Sequence, residues 1–169
     1  MANIRDVDEY KQKILELILS DEIAVNLISG EKSHTLPAKD LIYKAVFPYD
    51  WLNTTSLTAR AYVSVEANVS GVSTTAVKNC EIHILVMCHE DAMSLINSDL
   101  YHLSYTGGTL RDKLSDRIDY LLNGNINFGF GKLELISAPV FDPGGRYYGR
   151  ELVYRVQDFN KPYEKLRPT

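Results

Sequence analysis

The chain has 169 residues, of which 45% are hydrophobic and 24% charged, enough for one globular domain with its own core and too few for two unrelated domains. Its formal net charge is −4 and its lysines and arginines are scattered along the sequence, which argues against a dedicated duplex-binding protein. No apolar run approaches the roughly 20 residues that span a bilayer, and the N-terminal residues lack a signal-peptide core, so we expect a soluble protein that folds in the cytoplasm without a membrane partner.

Two helical stretches open the sequence. Apolar residues recur at helical spacing on one side of residues 6–19, which predicts an amphipathic helix. A short helical turn follows and ends at Gly30, a residue suited to the left-handed terminating position. Residues 31–58 carry weaker signals: Pro37 is suited to open a short helix through Ile42, and the aromatic residues in 47–51 indicate an ordered turn.

The rest of the sequence predicts two strand pairs separated by a helix. Apolar and polar residues alternate from 60 to 69, and a second strand follows at 79–89, so the pair forms an extended hairpin with a projecting tip. Residues 109–123 predict an amphipathic helix, with Thr109 as N-cap and Gly124 beyond its end. Strands at 132–140 and 147–159 are joined by a turn at 142–145, and residues 161–169 are expected to form a tail.

This order, α-β-β-α-β-β, predicts a single α+β domain over residues 1–160. We expect an antiparallel sheet of about four long strands, with two helices packed on one face. The second strand offers Ile82, Ile84 and Val86 on one side, and Leu85 and Met87 on the other. Because both sides are apolar, something besides the helices should cover the second face, and a neighbouring copy of the chain is the simplest candidate.

The cysteines and histidines of the second strand do not indicate a metal site. Cys80 and Cys88 share a face but lie roughly 26 Å apart at about 3.3 Å per residue, too far to form a disulfide or hold one ion. We therefore expect two buried, reduced cysteines. His83 and His89 share the other face and are also too far apart to chelate one ion.

Three aspartates in the second predicted helix are the main candidates for enzymatic chemistry. Asp112, Asp116 and Asp119 are spaced to share one side, as in a divalent-metal site of nuclease type. That side lies opposite the apolar stripe, so we expect the carboxylates to point to solvent. The Gly-rich residues 127–132 lack the first glycine of a phosphate-binding loop, and no Gly-x-Ser-x-Gly motif is present. We predict no enzymatic activity, catalytic residue, cofactor or metal, and keep a small metal-dependent nuclease or processing enzyme as the alternative.

Several stretches together resemble the tail-terminator or tail-completion proteins that join head and tail in bacteriophages: residues 40–49, 59–69, 110–119, 131–135 and 148–160. The resemblance implies a structural α+β subunit of the virion, assembled in the host cytoplasm into a ring, commonly a hexamer. Such a ring caps the tail tube and joins it to the head connector at the neck. The implied partners are other copies of the chain, the tail tube protein and a head-completion or connector protein, with DNA passing through the ring.

The ring model predicts two sets of site residues. The strand faces, hairpin tip and last turn are expected to contact other subunits through Tyr62, Ser70, Gly71, Val72, Lys78, Leu85, Met87, Asp142, Arg146 and Tyr147. Strand carboxylates are expected to line the lumen and repel DNA phosphates: Glu66, Glu81, Glu134 and Glu151. A further alternative is a monomeric adaptor that binds one partner along an exposed strand edge.

Overall fold

The computed structural model describes residues 4, 6–30, 38–52, 60–74, 76–94 and 108–160. Within these ranges the α-helices are α1 (Val7–Ser20), α2 (Glu22–Ser29) and α3 (Leu110–Leu122). The strands are β1 (Val46–Phe47), β2 (Ala61–Thr74), β3 (Val77–His89), β4 (Phe130–Ser137), β5 (Val140–Phe141) and β6 (Tyr147–Phe159), and short 3-10 helices span Ala38–Leu41 and Glu90–Ala92. The predicted tail at 161–169 and Pro37 lie outside the described residues, whereas the short helix predicted from Pro37 through Ile42 is present as the 3-10 helix Ala38–Leu41. No helix in the described part of the chain is long and apolar enough to cross a membrane.

Polar residues at the helix ends explain where the helices begin and stop. The Asp21 carboxylate accepts a hydrogen bond from Ala24 N at 2.8 Å, so α1 ends and α2 begins at this residue. Gly30 ends α2 with a φ of +72°, in the left-handed conformation that glycine adopts without strain. The Thr109 hydroxyl accepts from Asp112 N at 3.2 Å, which confirms the predicted N-cap of α3. The short turn predicted before Gly30 is a full helix of eight residues.

The strands form one mixed sheet in the order β1-β2-β3-β6-β4, with β5 pairing with β6 as well. The α+β class and the four longer strands are confirmed. The sheet also contains two short strands that were not predicted, β1 and β5, because two-residue segments carry no periodic signal. Strand β1 runs parallel to β2, so the sheet is mixed and not purely antiparallel as predicted. The last described strand, β6, lies inside the sheet between β3 and β4.

One face of the sheet, the helix face, carries all three helices and the main core. Residues directly opposite one another on neighbouring strands share a face. Buried apolar side chains from β2, β3 and β6 therefore form a continuous layer beneath the helices: Ala61, Val63, Val65, Ile82, Ile84, Val86, Leu152, Tyr154 and Val156. Helix α1 packs mainly against β2, and α3 packs against β3 and β6.

The second face is not the apolar surface that the sequence predicts. An aromatic cluster of this chain occupies one end: the rings of Phe47 and Trp51 stack at 4.0 Å, and Trp51 contacts Tyr62 at 5.0 Å. Tyr62 in turn contacts Tyr147 at 5.8 Å. Met87 lies opposite Tyr62 on β3 and is completely buried. The expectation that a second copy must cover Met87 is therefore wrong.

Candidate functional site

Beyond the aromatic cluster, the second face carries several charged side chains among polar and a few apolar ones. It collects the four carboxylates predicted for the lumen, because each occupies an alternate position on its strand. Glu66 of β2 lies opposite His83, and Glu81 of β3 lies opposite Arg155 of β6. The remaining two are Glu151, opposite Leu85, and Glu134, opposite Arg155. Four different strands thus bring these side chains to one side of the sheet.

Three of these carboxylates have basic partners. Arg155 Nη2 lies 3.0 Å from Glu81 Oε1, and His83 Nδ1 lies 2.7 Å from Glu151 Oε1. Glu66 pairs with Lys11 of α1, whose Nζ lies 2.5 Å from Glu66 Oε1. These pairs are partly exposed, so they orient side chains more than they add stability.

A small polar pocket lies in this face between the aromatic cluster and the charged rows. Its volume is about 130 Å³. The lining side chains come from Asp50 after β1 and from three neighbouring strands: Ser64, Glu66, Asn68, His83, Leu85 and Glu151. Ser64 Oγ is buried and has no hydrogen-bond partner, unlike the other buried side-chain nitrogen and oxygen atoms of the described residues. An unsatisfied buried hydroxyl is uncommon in folded proteins and calls for an explanation.

A buried polar cluster lies on the helix face near the hairpin tip. Lys78 Nζ is 2.7 Å from Asp6 Oδ2, and the Tyr10 hydroxyl donates to Asp158 Oδ2. Burial and this hydrogen bond raise the pKa of the Tyr10 hydroxyl above its usual value. Burial also raises the pKa of the neighbouring Cys80 thiol to about 11. The cluster attaches the start of α1 to β3 and β6. Lys78 therefore stabilises the fold of its own chain through its ion pair with Asp6.

The predicted interface residues divide into buried and accessible groups. Four of them are buried within the chain and cannot present their side chains to another copy in this conformation: Tyr62, Lys78, Met87 and Tyr147. Sequence alternation could not reveal this, because the aromatic cluster and the Lys78 pair both depend on residues distant in the sequence. The accessible or half-buried residues are Ser70, Gly71, Val72, Leu85, Asp142 and Arg146.

The turn predicted at residues 142–145 is confirmed, and its own residues stabilise it. Asp142 Oδ1 accepts from Gly144 N at 2.8 Å, which closes the turn. Arg146 donates to Glu90, and its Nη2 lies 2.9 Å from Asp91 Oδ1. Arg146 therefore links this turn to the 3-10 helix that follows β3.

The aspartates of α3 do not form the solvent-facing side that the sequence predicts. Asp112 Oδ1 accepts from Arg150 Nη2 at 2.9 Å, and Asp119 Oδ1 accepts from the buried Tyr154 hydroxyl at 2.9 Å. Asp116 is exposed, as expected. In the described ranges, no three His, Cys, Asp or Glu side chains are grouped closely enough to hold a metal. Asp112 and Asp119 instead connect α3 to β6.

Both cysteines of β3 are buried on the helix face, as predicted. Burial raises the pKa of the Cys88 thiol above its usual value. A protonated thiol is a poor nucleophile and a poor metal ligand at neutral pH, so Cys80 and Cys88 serve as small core residues.

Two exposed aromatic residues were missed by the sequence analysis. The ring centroids of Phe130 on β4 and Phe159 on β6 lie 4.8 Å apart. Phe130 is 36% exposed and Phe159 is 53% exposed. We call them the edge pair. Further along the same edge of the sheet, Ile136 and Val140 are also exposed. Alternation places Phe130 on the second face, but its nearness to Phe159 depends on the pairing of β4 with β6, which sequence alone does not specify.

Comparison with known proteins identifies a family. A family model described as YomW matches residues 12–156, which extend from α1 to near the end of β6. The match therefore includes β1 to β5, most of β6 and nearly all of the second face. A search of curated proteins finds no match to the chain.

Proposed function

The chain belongs to the YomW family and is a bacteriophage-related protein, and from this we propose that it is a structural, non-enzymatic subunit that caps the phage tail tube as a ring and joins the tail to the head connector. The family supplies the phage context, and the sequence resemblance to tail-terminator proteins supplies the role. The observation that carries the proposal is the collection of Glu66, Glu81, Glu134 and Glu151 on one face of the sheet.

This face suits the lumen of a ring through which DNA passes. Carboxylates repel the phosphate backbone, so DNA slides past such a wall without binding to it. Arg155, Lys11 and His83 offset part of the negative charge, and their pairs with carboxylates keep them from forming a basic patch. In the proposed ring the helix face points away from the DNA.

The contact between subunits is best supported at the β4–β5 edge. In the described residues β4 pairs with β6 on one side, which leaves its other side able to accept a neighbouring element. The edge pair adds two adjacent exposed aromatic rings, and aromatic side chains are enriched in protein interfaces. We propose that Phe130 and Phe159 of one subunit pack against the next subunit of the ring.

Sedimentation of the full chain, alone and with purified tail tubes, tests the ring. We expect a closed oligomer that the double substitution Phe130→Ser/Phe159→Ser converts to monomer. Tyr120→Ser is the matched control, since Tyr120 is an exposed aromatic residue on α3 and the substitution should leave the oligomer intact. A chain that stays monomeric at micromolar concentration, both with and without tail tubes, would exclude the ring.

A monomeric adaptor is the second candidate, because β1 covers only a short part of one edge of β2 in the described residues. In the described part of the chain β1 pairs with β2 at Val63 and Ser64, and the edge of β2 beyond them could accept an added strand. The two proposals differ in stoichiometry. An adaptor gives a one-to-one complex with its partner and no self-association, whereas a ring gives a multimer whose size does not depend on that partner.

A further inference from the structure

The pocket between β2, β3 and β6 has the charge of a cation-binding site. Carboxylates enter its wall from three separate elements: Asp50 after β1, Glu66 on β2 and Glu151 on β6. The basic groups beside them are the ammonium of Lys11, bound to Glu66, and the imidazole of His83, bound to Glu151. The pocket is therefore net negative whether His83 is neutral or protonated.

Ser64 gives a second, independent reason to expect a ligand in this pocket. Its hydroxyl is buried in the pocket wall and has no hydrogen-bond partner in the folded chain. A buried hydroxyl that loses its hydrogen bonds to water and gains none in the protein destabilises the folded chain. An alanine here would avoid that cost with little change in packing. A ligand that donates a hydrogen bond to Ser64 Oγ would explain why a serine occupies this position.

The arrangement of acceptors favours a guanidinium group over a metal ion. In the described residues no three His, Cys, Asp or Glu side chains converge as a metal requires, and the acceptors are instead distributed around a pocket of about 130 Å³. Guanidinium is planar and carries five N–H donors pointing in fixed directions, whereas an ammonium concentrates three donors on one nitrogen. Carboxylates from Asp50 and Glu151, together with the Ser64 hydroxyl and the Asn68 amide, offer acceptors from several elements around the pocket, which a group with several fixed donors can use. We infer that this pocket binds a guanidinium group.

The guanidinium could come from an arginine side chain of a neighbouring protein subunit or from a free small molecule. Both offer the same chemistry to the pocket. The inference does not depend on the proposed ring, because the pocket lies entirely within one chain.

Titration of the full chain with N-acetyl-arginine methylamide, followed by NMR, tests the site. We expect saturable shifts at residues around Ser64 and His83. The lysine analogue should bind several-fold more weakly, and the neutral citrulline analogue should not bind detectably. Equal binding of the arginine and citrulline analogues, or shifts spread over the whole surface, would overturn the inference.

Variants separate binding from folding. Ser64→Ala should raise the melting temperature of the free chain, since it removes the unsatisfied hydroxyl, and should weaken arginine binding several-fold. Glu151→Gln should weaken binding about tenfold. Glu134→Gln is the matched control, because Glu134 lies on the same face outside the pocket, and it should bind normally. A Ser64→Ala variant that is destabilised, or that binds as tightly as the wild type, would refute the proposed role of Ser64.

Competition identifies the source. If an arginine of a neighbouring copy fills the pocket, an excess of the capped arginine should dissociate the oligomer in sedimentation. If the oligomer is unchanged while the analogue binds, the guanidinium is supplied by a small molecule. A chain that stays monomeric both with and without tail tubes and still binds the analogue would exclude the ring and support the guanidinium site.

Discussion

Replacing Asp112 by asparagine tests whether this carboxylate attaches α3 to the sheet. Burial disfavours its charged form, but hydrogen bonds from Arg111, Arg150 and Thr109 outweigh burial and lower the pKa of Asp112 from 3.8 to about 2. That shift corresponds to roughly 2.5 kcal/mol of stability. Because 45% of the side chain is exposed, solvent screening reduces the expected loss in Asp112→Asn to about 1 kcal/mol.

The pH dependence has a defined sign. A carboxyl whose pKa is lowered by folding stabilises the native state fully above its unfolded pKa, near 4, and loses that effect as the pH falls towards 2. Urea unfolding followed by circular dichroism should show Asp112→Asn less stable than wild type at pH 7, with the gap shrinking at pH 3. Asp116→Asn, on the same helix and exposed, should change stability by less than about 0.5 kcal/mol at either pH.

Two results would refute this reasoning. The first is equal stability of Asp112→Asn and Asp116→Asn at pH 7. The second is a gap between Asp112→Asn and wild type that stays constant down to pH 3. Magnesium-dependent cleavage of nucleic acid that Asp112→Asn abolishes without loss of stability would instead favour the nuclease alternative.

Three further substitutions probe the packing around the sheet. Gly149→Ala should destabilise the chain by about 1–3 kcal/mol, because the added Cβ would lie 2.5 Å from ring carbons of Phe141. Tyr154→Phe should cost about 1.5 kcal/mol in urea unfolding, since it removes a buried hydrogen bond to the Asp119 carboxylate. Lys78→Met should cost about 3 kcal/mol in the same assay, as it leaves a partly buried carboxylate without this cation.

Matched controls distinguish these effects from general sensitivity. Gly71→Ala places its Cβ in open space and should be nearly neutral. Tyr120→Phe alters an exposed ring on α3, and Lys132→Met alters an exposed lysine on β4, so each should change stability by less than about 0.5 kcal/mol. A control that loses as much stability as its test variant would contradict the packing described for that site.

The elements predicted from periodicity are largely correct. The spacing of Ile14 and Ile18 in α1, and of Leu114 and Ile118 in α3, marks the sides that the structure buries. Alternation located β2 and β3, and the Thr109 cap fixed the start of α3. Helical spacing, strand alternation and N-caps involve residues close in the sequence, so a single sequence is enough to predict them.

The predictions that were wrong concern features that depend on contacts between residues distant in the sequence. A helical wheel places Asp112 and Asp119 away from the apolar stripe, yet the buried side of α3 extends to Ser115, so both aspartates lie at its border and reach β6. The pocket was missed because Asp50, Ser64 and Glu151 have no spacing relationship in the sequence. Only the order of strands in the sheet brings such residues together.

The position of β6 has a consequence for synthesis of the protein. Strand β6 leaves the ribosome after the other described strands, and it joins β3 to β4 and β5. Until it emerges, the nascent hairpin of β2 and β3 exposes an unpaired backbone edge that can attach to other chains. A premature stop before Tyr147 should therefore yield an aggregating fragment and not a smaller working subunit.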